Sequence, residues 1–260
     1  TASQAHPNNI AIIEKDNKID YNTLEKQVKQ TAMMFLSKGV RKGDRVLIFV
    51  PMSVSLYRIV LAVFYIGAVA VFLDEWVSKS RMEICCRIAR CRAFAADNKI
   101  RILSFLSREL REIPIKIGTK LKPEQRILEQ VEVMDLDDTA LITFTTGSTG
   151  TPKAANRTHG FLNEQFKALL QEINPKPSDI DMPVLPIVLL CNLAVGATSV
   201  IAGFNPRKPA KMKTGKVVDQ ILKSKVNRIT ASPFFFDQIS SFLFPKKGTL
   251  PKIEKIFTCW

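Results

Sequence analysis

Hydrophobic and polar positions alternate along this chain with two different periods. AIIE and KIDY near the start read as short strands flanking the turn-prone Lys15-Asp16-Asn17. NTLEKQVKQTAMMFLSKG then places Leu24, Val28, Ala32 and Phe35 on one helical face. Asn22 and Glu25 have the spacing of a capping box, and Gly39 suits the helix end. RVLIFV (45–50) reads as a strand, followed by a helix opened by Pro51 and Ser53 and running through Tyr65. The apolar run from Ile59 to Leu73 is 15 residues long, short of the ~20 needed to cross hydrocarbon. Gly67 splits it into the end of a helix and a buried strand over Val69–Leu73.

The same alternation continues. Ser78–Cys91 reads as a helix, Ala93–Ala96 as a strand, Lys99–Arg111 as a helix, Ile115–Ile117 as a strand and Lys120–Arg126 as a loop. A second stretch begins near Asp137 with the strand Ala140–Phe144, a Gly/Ser/Thr loop, the strand-like KAANRT and a helix over His159–Ile173. Asn174–Asp181 reads as a Pro/Asp-rich loop, and Pro183–Gly196 is strongly apolar. Thr198–Ala202, Arg228–Ala231 and Ile253–Thr258 read as strands, with helices over Gly215–Lys225 and Pro233–Phe244. Strands alternating with helices of this size predict an α/β fold of mostly parallel βαβ sheets. The division expected is 1–136 for a first α/β subdomain and 137–260 for a second, beginning with the Gly/Ser/Thr loop. The sequence stops at Cys259-Trp260, on a strand end, which predicts a truncated domain.

Composition narrows the class. With 260 residues, 46% hydrophobic and 24% charged, the chain is long enough for a sizeable core and is neither disordered nor a disulfide mini-protein. Its five cysteines show no C-x-x-C spacing, and only His6 and His159 could assist a metal. Reduced core thiols in a cytoplasmic protein are expected, with no metal site. The first residues, TASQAHPNN, lack the basic-then-apolar pattern of a signal peptide. The net charge is +14, of which Asn205–Lys255 carries +9. No helix-turn-helix, zinc finger or RNP-like motif accompanies it, so a solvated lysine-rich surface is favoured over nucleic-acid binding.

The chemistry concentrates in Thr145-Thr146-Gly147-Ser148-Thr149-Gly150-Thr151-Pro152-Lys153. This segment offers backbone N–H groups, hydroxyl donors and one cation directly after an apolar strand. That inventory suits a polyphosphate. Glycine permits close backbone approach, and Pro152 restricts the loop exit ahead of Lys153. It is not a Walker A loop, because Pro152 separates the second glycine from the lysine.

TFTTGSTGTPK closely resembles the AMP-binding signature of the adenylate-forming enzymes, which include acyl-CoA synthetases, peptide-synthetase adenylation domains and luciferases. VRKGDRVLIFVPMS resembles the early G-D-R-V segment of that family. LAVFYIGAVAVFLD resembles its A-x-x-x-x-G-A segment, and NRTHGFL the segment that follows the signature. The resemblance is to the fatty-acid–CoA-ligase-like group, and it covers about the first half of a typical member. It implies activation of a carboxylic acid, a fatty acid in that group, by ATP and Mg2+ to an acyl-adenylate, with CoA as the usual acceptor. On that reading Thr145, Thr146, Ser148 and Thr149 donate to the phosphates. Gly147 and Gly150 give backbone access, and Lys153 neutralises charge or steadies the loop.

Departures from the family pattern sharpen the expectation. Ala154 stands where many members have glycine, and PVLPIVLLCNLAVG lacks the aromatic-His pair found near the acyl site in many members. That segment is read as core in preference to an acyl lining, and His159 as a helix-start residue in preference to an acid/base group. Tyr21, Tyr57 and Tyr65 all precede the phosphate loop, so no residue is assigned to adenine, ribose or magnesium. The chain alone is expected to be inactive. The alternative reading is a non-catalytic interaction module for an acidic partner such as an acyl carrier protein, docking through Asn205–Lys255.

Overall fold

The computed structural model describes residues 1–73, 79–103, 107–120, 126–146, 152–204, 209–244, 249–250 and 252–258. The chain opens with α1 (Ala2–Ala5) and the hairpin of β1 (Ile10–Glu14) and β2 (Asn17–Asp20), followed by α2 (Tyr21–Ser37). The N-terminus of α2 is closed by Asp20, whose carboxylate accepts from the Thr23 N–H at 2.6 Å. Asn22 therefore is not the cap: the helix starts one residue before it, and an acceptor three residues ahead of the free N–H does the capping. Gly39, at φ 90°, ends this stretch as expected.

Next come β3 (Arg45–Phe49), α3 (Val54–Tyr65), β4 (Val69–Phe72), α4 (Lys79–Ala89) and β5 (Ala93–Ala96). Ser53 caps α3 by accepting from the Leu56 N–H at 3.2 Å. The apolar run through Gly67 resolves as helix, turn and buried strand. Gly67 sits at φ 65°, and a Cβ there would come within 2.6 Å of Met134 Sδ, so this turn requires glycine twice over. The single helix expected over 99–111 is instead α5 (Asn98–Leu103) and α6 (Arg108–Glu112), with 104–106 outside the described residues. β6 (Ile115–Gly118), β7 (Thr139–Thr146) and β8 (Pro152–Thr158) follow.

Beyond them lie α7 (His159–Ile173), β9 (Ile180–Pro183), α8 (Pro186–Val195), β10 (Thr198–Ile201), α9 (Thr214–Lys223), β11 (Arg228–Ala231), α10 (Pro233–Leu243) and β12 (Lys255–Thr258). β9 falls partly in the segment read as loop. Its four residues IDMP carry an acid and end in proline, so composition hides a strand that pairing on both edges stabilises. Among the described residues no helix is long and apolar enough to cross a membrane.

Two compact units result: residues 26–165, and residues 1–25 with 166–260. These units do not follow the 136/137 division. β7 pairs in parallel with β4, so the strand that leads into the Gly/Ser/Thr segment extends the sheet of the earlier strands. The hairpin β1–β2 joins the later strands through β10. Pairing between strands far apart in sequence leaves no local trace, which is why the periodicity does not show it.

The sheet of the 26–165 unit runs β6-β5-β3-β4-β7-β8, parallel throughout except for the antiparallel edge pair β7–β8. One face is packed by Leu47, Val71, Phe94, Ile142 and Phe144 with Cys85, Cys86 and Leu110 from α4 and α6. The sheet of the other unit runs β12-β11-β9-β10-β1-β2, again parallel except for its edge pair β1–β2. Ile13, Met182, Val200 and Ile229 pack beneath α9 and α10 on one face.

The opposite face of this second sheet is polar at its centre. The register aligns Ser199 of β10, Asp181 of β9 and Arg228 of β11 side by side. Asn192 of α8 donates to Asp181 Oδ2 at 2.8 Å and to Ser199 Oγ at 3.1 Å. Arg228 donates to Asp179 Oδ2 at 2.5 Å and to the carbonyls of Ile173 (2.6 Å) and Asn174 (3.1 Å) at the end of α7. A buried charge is tolerable when paired and hydrogen-bonded in this way.

Candidate functional site: the β7–β8 hairpin

β7 alternates strictly. Ile142 and Phe144 enter the apolar cluster, which puts Thr143 and Thr145 on the opposite face. β8 returns antiparallel with Thr143 opposite Ala155, Thr145 opposite Lys153 and Thr146 opposite Pro152. Directly opposed residues share a sheet face. Thr143, Thr145 and Lys153 therefore form one stripe leading to the hairpin tip. Thr145 and Lys153 are exposed, and Pro152 is buried. The Thr143 hydroxyl is buried with no hydrogen-bond partner. It continues the threonine alternation inward by one step, at the first position of the TFTTGSTGTPK motif.

β7 runs parallel to β4, so the hairpin tip emerges at the carboxyl end of the parallel strands. Open α/β sheets bind their ligands at that end. Of the expected phosphate-loop residues, the structure places Thr145, the backbone of Thr146, and Lys153. Gly147, Ser148, Thr149 and Gly150 lie outside the described residues. Ala154, where many members carry glycine, sits opposite Phe144 in regular strand.

His159 is the first residue of α7, as read from the sequence. Its N–H donates to the Asp138 carbonyl at 2.9 Å, and its ring meets Phe64 edge-on at 6.1 Å between centroids. Burial pushes its pKa below the ordinary value, against a smaller upward pull from Asp138. The apolar segment 183–196 forms α8, with Val188, Leu189, Cys191 and Leu193 buried, which is the core reading. Burial also pushes the Cys86 and Cys91 thiols up to about 12 and Cys191 up to about 11, so they stay protonated and unreactive. Among the described residues no cluster of His, Cys, Asp or Glu could hold a metal ion.

A match to the AMP-binding enzyme family spans residues 1–259. The chain belongs to that family. Among curated relatives, the olefin beta-lactone synthetase of Xanthomonas campestris is 28% identical over 234 residues, covering 84% of this chain and 42% of that protein. The L-proline–[L-prolyl-carrier protein] ligase of Pseudomonas fluorescens is 27% identical over 229 residues, covering 78% of this chain and 44% of that protein. The chain spans less than half the length of either relative. The fold is that of the Bacillus subtilis o-succinylbenzoate CoA synthetase solved with its acyl-adenylate intermediate. The TM-score is 0.83 at 23% identity, covering 100% of this chain and 67% of that one. The expected α/β architecture of adenylate-forming enzymes is thus the observed one.

Proposed function

We propose that this chain is the N-terminal part of an ATP-dependent, AMP-forming ligase that activates a carboxylic acid as its acyl-adenylate. The family match and the architecture support the reaction class. The observation that carries the site is the hairpin register, which sets the Thr145 hydroxyl and the Lys153 ammonium on one exposed face. No ion pair occupies Lys153 among the described residues, which leaves its charge for an anionic ligand. A hydroxyl donor beside an ammonium fits a polyphosphate.

Bound MgATP would supply the adenylyl group: a carboxylate oxygen bonds to the α-phosphorus, and pyrophosphate leaves with the electron pair of the broken P–O bond. The part of this chain is to hold the leaving charge while it builds, which is positioning and electrostatics. Thr145, Thr146, Ser148 and Thr149 donate to the β- and γ-phosphate oxygens. Gly147 and Gly150 let the backbone approach, and Lys153 neutralises charge. The acid is a fatty acid and the acceptor CoA or an acyl carrier protein, on the strength of the resemblance, and the setting is cytoplasmic. The alternative of a non-catalytic module docking a carrier protein through 205–255 gains no support from the family match.

The test is calorimetric titration of the chain with MgATP and with tripolyphosphate. Both are expected to bind, and Lys153→Ala to weaken both about tenfold or more, the scale of one charge-assisted contact. Equal binding by the wild type and Lys153→Ala refutes the assignment. The isolated chain is expected not to turn over, so robust ATP–pyrophosphate exchange with a fatty acid on the purified chain would refute that part.

A further inference from the structure

We propose that the cleft at the end of α4 binds a small organic phosphate, a phosphate monoester carried on an apolar body. The inference is independent of the phosphate loop. Arg45, Ile84, Arg87, Ile88 and Arg90 line this one cleft, whose volume is about 480 Å3. Arg45 opens β3, which runs parallel to β4 as β4 does to β7, so the cleft lies at the amino end of these strands. The β7–β8 tip stands at the opposite, carboxyl end of the same sheet.

The three guanidiniums are engaged to different degrees. Arg45 donates from Nη1 to the Ala89 carbonyl at 2.9 Å and so closes the end of α4. Arg87 pairs with Glu109 at 2.5 Å through one nitrogen. No ion pair or side-chain hydrogen bond engages Arg90 among the described residues. Asp44, beside Arg45 in sequence, is paired with Arg92 at 3.2 Å. Among the described residues no acid lines the cleft, so it keeps a net positive charge.

Arg90 is an unusual residue for its position. It follows the last residue of α4 at φ 48°, the left-handed conformation in which helix ends ordinarily place glycine. A cation does favour a helix C-terminus, but Arg45 already supplies one there. The Arg90 side chain is therefore surplus to the helix and free for an anion.

The lining dictates the ligand. A guanidinium fork matches the oxygens of a phosphate, and a phosphate has enough oxygens to meet more than one fork, where a single carboxylate fills one. Ile84 and Ile88, one turn apart on α4, supply an apolar wall beside the arginines, and Ile88 is 41% exposed. Inorganic phosphate alone would leave that wall wet. The volume lies in the range of small-molecule sites, about 300–1,000 Å3.

Calorimetric titration with phenyl phosphate, and separately with inorganic phosphate, tests this. Phenyl phosphate is expected to bind, roughly fivefold more tightly than inorganic phosphate. Arg90→Gln should weaken it about tenfold or more, the scale of a lost charge-assisted contact. Arg90 is exposed, so the thermal midpoint of that variant should match the wild type. Ile88→Gln should remove most of the margin over inorganic phosphate, and Lys153→Ala should bind phenyl phosphate as the wild type does. Absence of binding, equal affinity of wild type and Arg90→Gln, or equal affinity for the two phosphates overturns the proposal. Loss of binding in Lys153→Ala would assign the ligand to the hairpin and overturn it as well.

Discussion

Replacing Asp181 by asparagine keeps the shape of the polar layer beneath α8 and removes its buried negative charge. Asp181 is fully buried; Oδ2 accepts from Asn192, and Oδ1 has no partner. Burial raises its pKa from 3.8 to about 6, opposed by the Asn192 hydrogen bond and the Arg228 charge. The folded protein therefore holds this proton more tightly than the unfolded chain does. The stabilisation from that proton is complete below about pH 4 and is lost as pH rises through about 6. The gap between those two values, at ~1.4 kcal/mol per pH unit, makes the loss about 3 kcal/mol. The Asp181→Asn variant would have no such dependence. Urea unfolding of wild type and Asp181→Asn, followed at several pH values, isolates this contribution, because every other titrating group cancels in the difference. The variant should gain about 3 kcal/mol relative to wild type between pH 3 and pH 7. A difference that stays constant across that range, or moves the other way, refutes the reasoning.

Two further predictions concern stability. Arg228→Met fills the volume and leaves Asp179 and the two carbonyls at the end of α7 without their donor. It should cost about 3–5 kcal/mol in chemical denaturation, as breaking a buried ion pair does. Asp20→Ala should cost about 1 kcal/mol because it uncaps α2, while Asn22→Ala should change the thermal midpoint little.

The elements built from strong periodicity were legible before the structure. The run through Gly67 is a case, because the glycine and the change of period sit in adjacent residues. The strand that leads into the Gly/Ser/Thr segment was legible in the apolar ALITF. What periodicity does not carry is partnership. Nothing local to Ile142 says that its strand pairs with Val71, so the two compact units are not marked in the local sequence pattern. Polar burial is equally silent: Asp181 looks like loop chemistry until pairing on both sides of β9 puts it inside a sheet. Asn22 matched a capping spacing that Asp20, two residues earlier, also competes for, and backbone geometry decided between them.

The β7–β8 ladder works as a ruler. A slip of one residue in the return strand would carry Lys153 onto the face of Ile142 and Phe144, against the apolar cluster, and such slips are strongly resisted where one face is buried. The threonine and lysine posts are thus fixed by hydrophobic alternation several residues away from the tip. Under the proposed polyphosphate role, substitutions between the posts would test selectivity while Thr145 and Lys153 keep their spacing.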